Sequence, residues 1–268
     1  PEVTLSTGEK VRLDAAAYSL HRASPVKADR DAVFKAFWER YGEFTRTLAA
    51  TLNAHVESHV FAKDVRSFGS SLEAALFDDN IPTSVYTRLI DDVHANLPTL
   101  HRYLRLRQQI MGLQQLGYDD LYAPIVDRVA LDYTPEQAMA LTLEAFAPLG
   151  EDYVAALRKG YASRWVDFLP TTGKRPGAYS NTVHGVHPYQ LLNFNGAWDD
   201  VSTLAHESGH SMHSYLASAQ QPYATASYSI FVAEVASTLN ENLLFHHVLD
   251  RTADDRTRLF LLASSLDP

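Results

Sequence analysis

Apolar residues recur every three or four positions along most of the first 165 residues, and this period restricts the fold more than any other feature. The longest such run lies in residues 29–65, where one stripe extends from Phe34 to Val56. This spacing places side chains on one face of an α-helix, so the run predicts a single long helix. Two more helices are expected, one ending near Pro98 and one starting there and ending at Gly117.

The later part of the chain adds further helices and one change of pattern. Thr134 and Gln137 have the spacing of a capping box, with Pro135 at the first helical position, which predicts a helix that Gly150 ends. Residues 169–196 are instead dense in Gly, Pro, Asn and aromatic residues, which is typical of short strands and turns. The expected fold class is therefore mainly α, a multi-helix region with one small β-sheet.

The stretch TLAHESGHSMHSYLA, residues 203–217, contains three histidines and one glutamate on a predicted helix. His206 and His210 are four residues apart, so about 6 Å separates them along the axis and both imidazoles can reach one ion. Glu207 follows the first histidine and is positioned to act as a base rather than as a ligand. His213 lies too far along the axis to share an ion with both, so the third ligand is expected from another segment.

Glu234, in the segment SYSIFVAEVASTLNENLLFHHVL, is the predicted third ligand. Apolar residues surround it on every side of its helical turn, and an unpaired carboxylate buried among them would be costly. A bound cation removes that cost, and a buried hydrogen-bonded carboxylate is the alternative. Three roles stay open for Glu241: a polar residue on a helix face, a contact to a metal ligand, and a solvated charge. His55 and His59 repeat the four-residue spacing without a second glutamate helix, which favours a solvated or packed helix face.

Composition restricts both the ligands and the partners. The chain has no cysteine, so a metal must be held by His, Asp or Glu. A formal net charge of −9 and the lack of clustered Lys and Arg argue against nucleic acid and against an anionic membrane surface as partners. No apolar run in the sequence has the length of a membrane span. A soluble globular chain is therefore expected.

These residues together resemble the oligoendopeptidase F and thimet oligopeptidase family of zinc metallopeptidases. The stretches that carry the resemblance are HESGHSMH, FVAEVASTLNE, GKRPGAYS and GVHPYQLLNFNG, and it extends weakly into the N-terminal helices. The resemblance implies a zincin catalytic region with the small sheet beside the HExxH helix. It also implies one Zn²⁺ per chain, held by His206, His210 and Glu234, with Glu207 as the catalytic residue.

The resemblance further implies candidate substrate-binding residues upstream of the HExxH helix. Gly177, Ala178 and Tyr179 match a segment beside the active-site cleft, where an extended peptide would pair with an exposed strand. His187 and Tyr189 belong to the adjacent motif and are substrate-side candidates. Turn and packing chemistry is the equal alternative for these last two.

The implied function is that of a zinc-dependent metalloendopeptidase that hydrolyses short oligopeptides in the cytoplasm, with Glu207 activating the zinc-bound water. A gluzincin exopeptidase and an inert helical fragment without the full active site stay open as alternatives. Residues 1–75 are expected to form an N-terminal helical part, and residues 76–268 a catalytic domain truncated at its C-terminus. The family's own N-terminal portion is also expected to be incomplete here. The sequence leaves the oligomeric state open.

Overall fold

The computed structural model describes residues 1–126, 129 and 131–266, and the chain divides into two compact units, Pro1–Asp127 and Arg128–Pro268. Helices dominate both units, which confirms the mainly α fold class. Within the described residues, no helix combines the length and the apolar character needed to cross a membrane. The domain boundary expected at residue 75 falls inside the helix Ser71–Leu76 and stays a prediction.

The first unit begins with a hairpin and continues as helices. Strands β1 (Glu2–Thr4) and β2 (Lys10–Arg12) are antiparallel, with Val3 opposite Val11. The helices that follow are α1 (Ala15–His21), α2 (Lys27–Gly42), α3 (Thr45–Val65), α4 (Ser71–Leu76) and α5 (Thr83–Ile110). A small buried cluster packs the hairpin against α1 and α2; its members are Leu5, Val11, Leu13, Tyr18 and Val33.

The single helix predicted for residues 29–65 is wrong, because the structure has two helices, α2 and α3, in that range. Helix α2 ends at Gly42, whose carbonyl accepts a hydrogen bond of 2.7 Å from the Thr45 hydroxyl. Glycine has a low helix propensity, and a side-chain donor at this position competes with the backbone ladder. Only the start of the stripe is packed, because Phe34 and Phe37 contact the small buried cluster whereas Leu52 is 65% exposed.

The helix boundary predicted at Pro98 is also wrong. Helix α5 continues through Pro98 and ends at Ile110, and Gly112, not Gly117, adopts the left-handed conformation after it, with φ of +64°. The Leu113 N–H returns to the Gln108 carbonyl at 3.1 Å, which is the hydrogen bond expected beyond a glycine cap. A proline costs about 3 kcal/mol inside a helix, and the remaining turns of this long helix outweigh that cost.

A buried ion pair joins α2 to the short turn at residues 118–120 in the same unit. The Arg30 guanidinium donates to Asp120 at 2.6 Å, and both side chains are buried. Lys27 adds an ion pair of 2.9 Å to Asp119. These cations neutralise carboxylates that would otherwise repel one another, so the cluster is a structural ion-pair network.

The second unit contains five helices and a three-stranded sheet in its described residues. The elements are α6 (Pro135–Ala145), α7 (Glu151–Ala162), β3 (Val166–Asp167), β4 (Tyr179–Asn181), β5 (Tyr189–Leu191), α8 (Trp198–Gln220), α9 (Ile230–Arg251) and α10 (Asp255–Leu266). The strand order is β3-β5-β4, with β3 parallel and β4 antiparallel to β5, so β4 is an edge strand. The expected small sheet is therefore confirmed.

Local signals explain where two of these helices start. The predicted capping box of α6 is confirmed, because Thr134 Oγ1 accepts from the Gln137 N–H at 3.3 Å and Gln137 Oε1 accepts from the Thr134 N–H at 2.8 Å. At the start of α8, one carboxylate oxygen of Asp200 accepts the N–H groups of Asn195 and Ala197 at 3.0 and 2.9 Å. These bonds satisfy backbone donors that a helix start leaves unpaired.

The core of the second unit holds α8 against the sheet and against α6, α7 and α9. Its fully buried apolar members include Ala138, Phe146, Leu157, Val201, Leu204, Ala205, Met212, Leu244 and Leu261. Four of these lie on α8, so one face of that helix is anchored in the core. The opposite face carries the motif histidines toward α9.

Candidate metal centre

Helices α8 and α9 cross at unusually close range beside the motif. An added Cβ on Gly209 would lie 2.6 Å from the Ala236 carbonyl oxygen and 2.6 Å from Ser237 Cα. Both atoms belong to the backbone of α9, so only a glycine permits this approach. The contact brings α9, and with it Glu234, against the motif face of α8.

The two helices bring three donor atoms to one point. His206 Nε2 and His210 Nε2 are 3.0 Å apart, and Glu234 Oε2 lies 3.3 Å from the first and 3.4 Å from the second. A tetrahedral zinc ion with ligand bonds of about 2.0–2.2 Å separates its donors by about 3.3–3.6 Å. Two imidazoles and one carboxylate are also a donor set that zinc accepts. The three side chains therefore fit a zinc ion with one position left open.

Glu234 lies beside the two histidines, as expected from the sequence. The reason given for it, burial among apolar residues, does not hold. Its side chain is 57% exposed, and the neighbouring Phe231 and Val235 are exposed as well. The Ser237 hydroxyl donates to Glu234 Oε2 at 2.7 Å, and this hydrogen bond lowers the pKa of the carboxyl. Packing of α9 against α8 therefore positions Glu234, and burial among apolar residues does not.

Each histidine has a second partner that orients its ring. Glu241 accepts a hydrogen bond from His206 Nδ1, and this bond raises the pKa of His206. The Ala233 carbonyl accepts a hydrogen bond from His210, but burial is the larger effect and lowers the pKa of that imidazole. Such partners set the tautomer and direction of a metal-binding histidine. Of the three roles left open for Glu241, the structure shows the contact to His206.

Glu207 differs from the other carboxylates of the site because it is buried, at 6% exposure. Burial raises its pKa, and a hydrogen bond from the Ser180 backbone N–H partly offsets that effect. Its Oε2 atom has no hydrogen-bond partner among the described residues. A buried carboxyl with a raised pKa and a free oxygen is suited to take up and release a proton.

The edge strand β4 runs directly beside Glu207. Tyr179 is its first residue and is 45% exposed, and Ala178 packs against the core. Gly177 adopts a φ of +84°, and its carbonyl accepts from Asn193 Nδ2 at 2.8 Å. The three predicted substrate-side residues therefore lead into an unpaired strand edge next to the motif. Their contact with substrate stays a prediction.

The other two substrate-side candidates lie in an aromatic stack. The His187 ring is parallel to Trp165 at 5.6 Å between centroids and lies 4.4 Å from Tyr189. His187 Nδ1 donates to the Pro188 carbonyl at 2.8 Å. Tyr189 pairs with Asn181 across the β4–β5 ladder. These contacts are packing and turn contacts, and a substrate role for either residue stays a prediction.

A buried chain of hydrogen bonds ties the sheet to α8, and no sequence motif marks it. The Gln190 amide donates to Ser211 Oγ at 2.9 Å, and Ser211 Oγ bonds Ser180 Oγ at 2.8 Å. One turn away, Ser208 Oγ bonds the Tyr161 hydroxyl at 2.9 Å. The sequence contains one indirect sign of this network, the two serines of the HESGHS stretch. Polar residues on the buried face of a helix need hydrogen-bond partners.

His213, His55 and His59 lie outside this centre, as expected. His213 stacks on Tyr228 at 3.7 Å between ring centroids, and burial lowers its pKa. His55 and His59 have Nε2 atoms 3.1 Å apart on the exposed surface of α3. Among the described residues, no carboxylate joins either group in a set of three possible ligands.

Comparisons with known proteins identify the family to which the chain belongs. The sequence model of peptidase family M3 matches residues 20–268. Oligopeptidase PepF of Bacillus subtilis is 41% identical over 89% of this chain and 36% of its own length. An oligoendopeptidase F homolog of Lactococcus lactis subsp. lactis is 37% identical over 100% of this chain and 44% of its own length.

Solved structures give the same result. The crystal structure of oligoendopeptidase-F from Enterococcus faecium has a TM-score of 0.70 and 32% identity, and covers 100% of this chain and 40% of its own. A solved structure from Chlamydophila abortus has a TM-score of 0.87 and 39% identity over 100% of this chain and 45% of its own. The chain thus spans less than half the length of these relatives.

Proposed function

The chain belongs to peptidase family M3, and on this premise we propose that it carries the zinc site and the catalytic glutamate of a metallopeptidase. The proposed reaction is the hydrolysis of internal peptide bonds in short oligopeptides. One observation carries the proposal: three donor atoms 3.0–3.4 Å apart stand beside a buried carboxyl with a raised pKa. That combination is what metal-assisted peptide hydrolysis requires.

The proposed ligands are His206, His210 and Glu234, with one Zn²⁺ per chain. When bound, zinc supplies a Lewis acid that polarises water and the scissile carbonyl. Glu241 would hold the His206 ring in place through its Nδ1–H. The donor set favours zinc over Mg²⁺ or Ca²⁺, because those harder cations take oxygen ligands in larger number.

Glu207 is the proposed proton carrier. Its free Oε2 atom can accept a proton from the attacking water, and the same carboxyl can then pass the proton to the leaving amine. The raised pKa makes the carboxylate a stronger base for the first step. The second step stays favourable because an amine is far more basic than a carboxylate. The Ser180 N–H would keep the carboxylate directed toward the metal position.

The proposed substrate is an extended peptide lying along β4. An edge strand offers unpaired backbone groups, and a peptide backbone that pairs with it would be aligned independently of its side chains. The names of the relatives, oligopeptidase and oligoendopeptidase F, support short peptides as the substrate class. The cytoplasmic location stays a prediction.

The first test is zinc content combined with peptide cleavage. Elemental mass spectrometry should find one zinc per chain, lost in His206→Ala and kept in Glu207→Gln. Glu207→Gln should lose cleavage of a fluorogenic peptide, because an amide cannot accept the proton. Glu151→Gln, the same change at an exposed position on α7, serves as the matched control and should change neither result.

The outcomes separate the alternatives. Cleavage of a peptide blocked at both ends favours the endopeptidase, and cleavage of free-ended peptides alone favours the gluzincin exopeptidase. Zinc binding without any cleavage favours the inert fragment. Full activity in Glu207→Gln contradicts the proposed mechanism.

A further inference from the structure

Glu207 lines one cleft, and Ser180, whose N–H bonds Glu207, lines a second cleft of different charge. The first has a volume of about 630 Å³; its lining includes the carboxylates of Asp199, Glu207 and Glu241 and, among the residues that the structure describes, no Lys or Arg. The second has about 590 Å³, and its lining within the described residues contains no carboxylate but includes Ser214, Tyr228 and His184. A peptide held beside Glu207 would therefore have access to an acidic cleft and to a second cleft without carboxylates.

The acidic cleft keeps a negative charge even when the metal site is filled. Asp199, Glu207, Glu234 and Glu241 bring four carboxylates to the site and its border. A divalent cation offsets two of these four charges. Negative charge is therefore left, and among the described residues the Asp199 carboxylate has no cationic partner.

The walls of this cleft suit an organic cation. Phe245 lines it and is half-buried, and the face of an aromatic ring attracts a nearby cation. Trp198 also lines it but is buried in the core. Ser202 and Thr203 add hydroxyl oxygens that can accept N–H bonds. Asp199 is in the first turn of α8 and is exposed, so its carboxylate is accessible to a ligand without rearrangement.

We propose that Asp199 is a specificity-determining residue and that the acidic cleft binds a cationic nitrogen of the peptide substrate. This inference rests on the proposed peptidase function, since it assigns the substrate preference of the same site. Two sources can supply that nitrogen, a Lys or Arg side chain near the scissile bond and the free N-terminus of a short peptide. Both offer the same charge-assisted hydrogen bonds to a carboxylate.

The test measures peptide binding and cleavage separately, in the zinc-loaded protein. Binding is measured by fluorescence anisotropy in the Glu207→Gln background, where peptides are held without being cut. Peptides with lysine at successive positions are compared with their norleucine counterparts, each with a free and with an acetylated N-terminus. We expect lysine at one position, or the free N-terminus, to tighten binding about 3- to 10-fold, with a smaller effect at high salt.

Variants of Asp199 decide the assignment. Asp199→Asn should remove the preference, Asp199→Glu should keep it, and Asp199→Lys should reverse it toward glutamate-containing peptides. Asp250→Asn, the same neutralisation at an exposed position near the end of α9, should leave the preference unchanged. Thermal unfolding of each variant shows that the fold is kept.

Equal binding of lysine and norleucine peptides, or a preference that survives in Asp199→Asn, overturns the proposal. Failure of the wild-type protein to cut any peptide overturns the peptidase function instead, and the binding series still reports the charge preference. If no peptide binds at all, both proposals fall. Matching preferences in Kd and in kcat/KM support both.

Discussion

Replacement of Gly209 by alanine should separate α8 from α9 and weaken the metal site without changing any ligand. The added methyl group would meet the α9 backbone at 2.6 Å, about 0.8 Å short of the 3.4 Å at which ordinary contact begins. Backbone atoms cannot rotate away as a side chain can. The two helices must therefore move apart or shift along one another.

The expected change in the free energy of unfolding has two parts of opposite sign. Alanine has the higher helix propensity, worth about 1 kcal/mol in favour of the variant. Overpacking a tight contact costs about 1–3 kcal/mol. The zinc-free variant should thus be destabilised by about 0–2 kcal/mol, which is a modest effect on the free energy of unfolding.

The effect on zinc should be larger than the effect on stability. Ligand distances in metal sites are kept within about 0.2 Å, so a helix displacement of several tenths of an ångström misplaces Glu234 relative to the two histidines. We expect zinc affinity to fall at least about tenfold, within the range seen when the groups supporting metal ligands are removed. Competition with a chromophoric chelator measures the affinity, and urea unfolding measures the stability.

Gly42→Ala is the matched control. Gly42 is also a helical glycine, at the end of α2, but an added Cβ meets no atom within 4 Å. This variant should keep its zinc affinity and be as stable as the wild type or more stable. Wild-type zinc affinity in Gly209→Ala would refute the reasoning, because the close helix contact would then not control the position of Glu234.

Two other predictions concern groups away from this contact. Glu241→Gln should reduce zinc affinity about 10- to 100-fold with the fold intact, as measured by chelator competition and circular dichroism, because the amide holds the histidine ring less firmly; unchanged affinity would contradict this. Arg30→Met should destabilise the protein by about 3–5 kcal/mol in urea unfolding, because it leaves Asp120 buried with fewer charge partners. Burial alone would raise the pKa of Asp120, but the hydrogen bond from Arg30 and others outweigh it and lower that pKa, so its stabilisation is present above about pH 3.8 and is lost as the pH falls further. That acid-dependent part should shrink in Arg30→Met, and an unchanged acid profile would contradict the assignment.

Short-range patterns predicted the local features well. The capping box at Thr134 and Gln137 and the helical phase of His206 and His210 depend only on residues within one turn, and the structure contains both. The predicted helix boundaries were wrong where interactions beyond one turn outweighed a residue's local preference. Pro98 did not end a helix, because the hydrogen bonds of the surrounding turns exceed the cost of one proline.

Contacts between distant segments could not be predicted in the same way. Ser180 lies 27 positions before Glu207, and only the packing of β4 on α8 brings its N–H to that carboxylate. The hydrogen bond from Gln190 to Ser211 likewise depends on the sheet lying against the helix. The sequence shows the hydroxyl and amide groups but not which of them meet.

The two histidine pairs show which features the sequence determines and which depend on the tertiary structure. His55 and His59 have Nε2 atoms 3.1 Å apart, and His206 and His210 have them 3.0 Å apart, because a four-residue helical spacing places both rings of a pair on one helix face within reach of each other. The sequence alone therefore determined both pairs and their donor chemistry. Only the tertiary structure decided that one pair meets Glu234 and the other stays on an exposed helix surface, because a third ligand depends on how closely a second helix can approach.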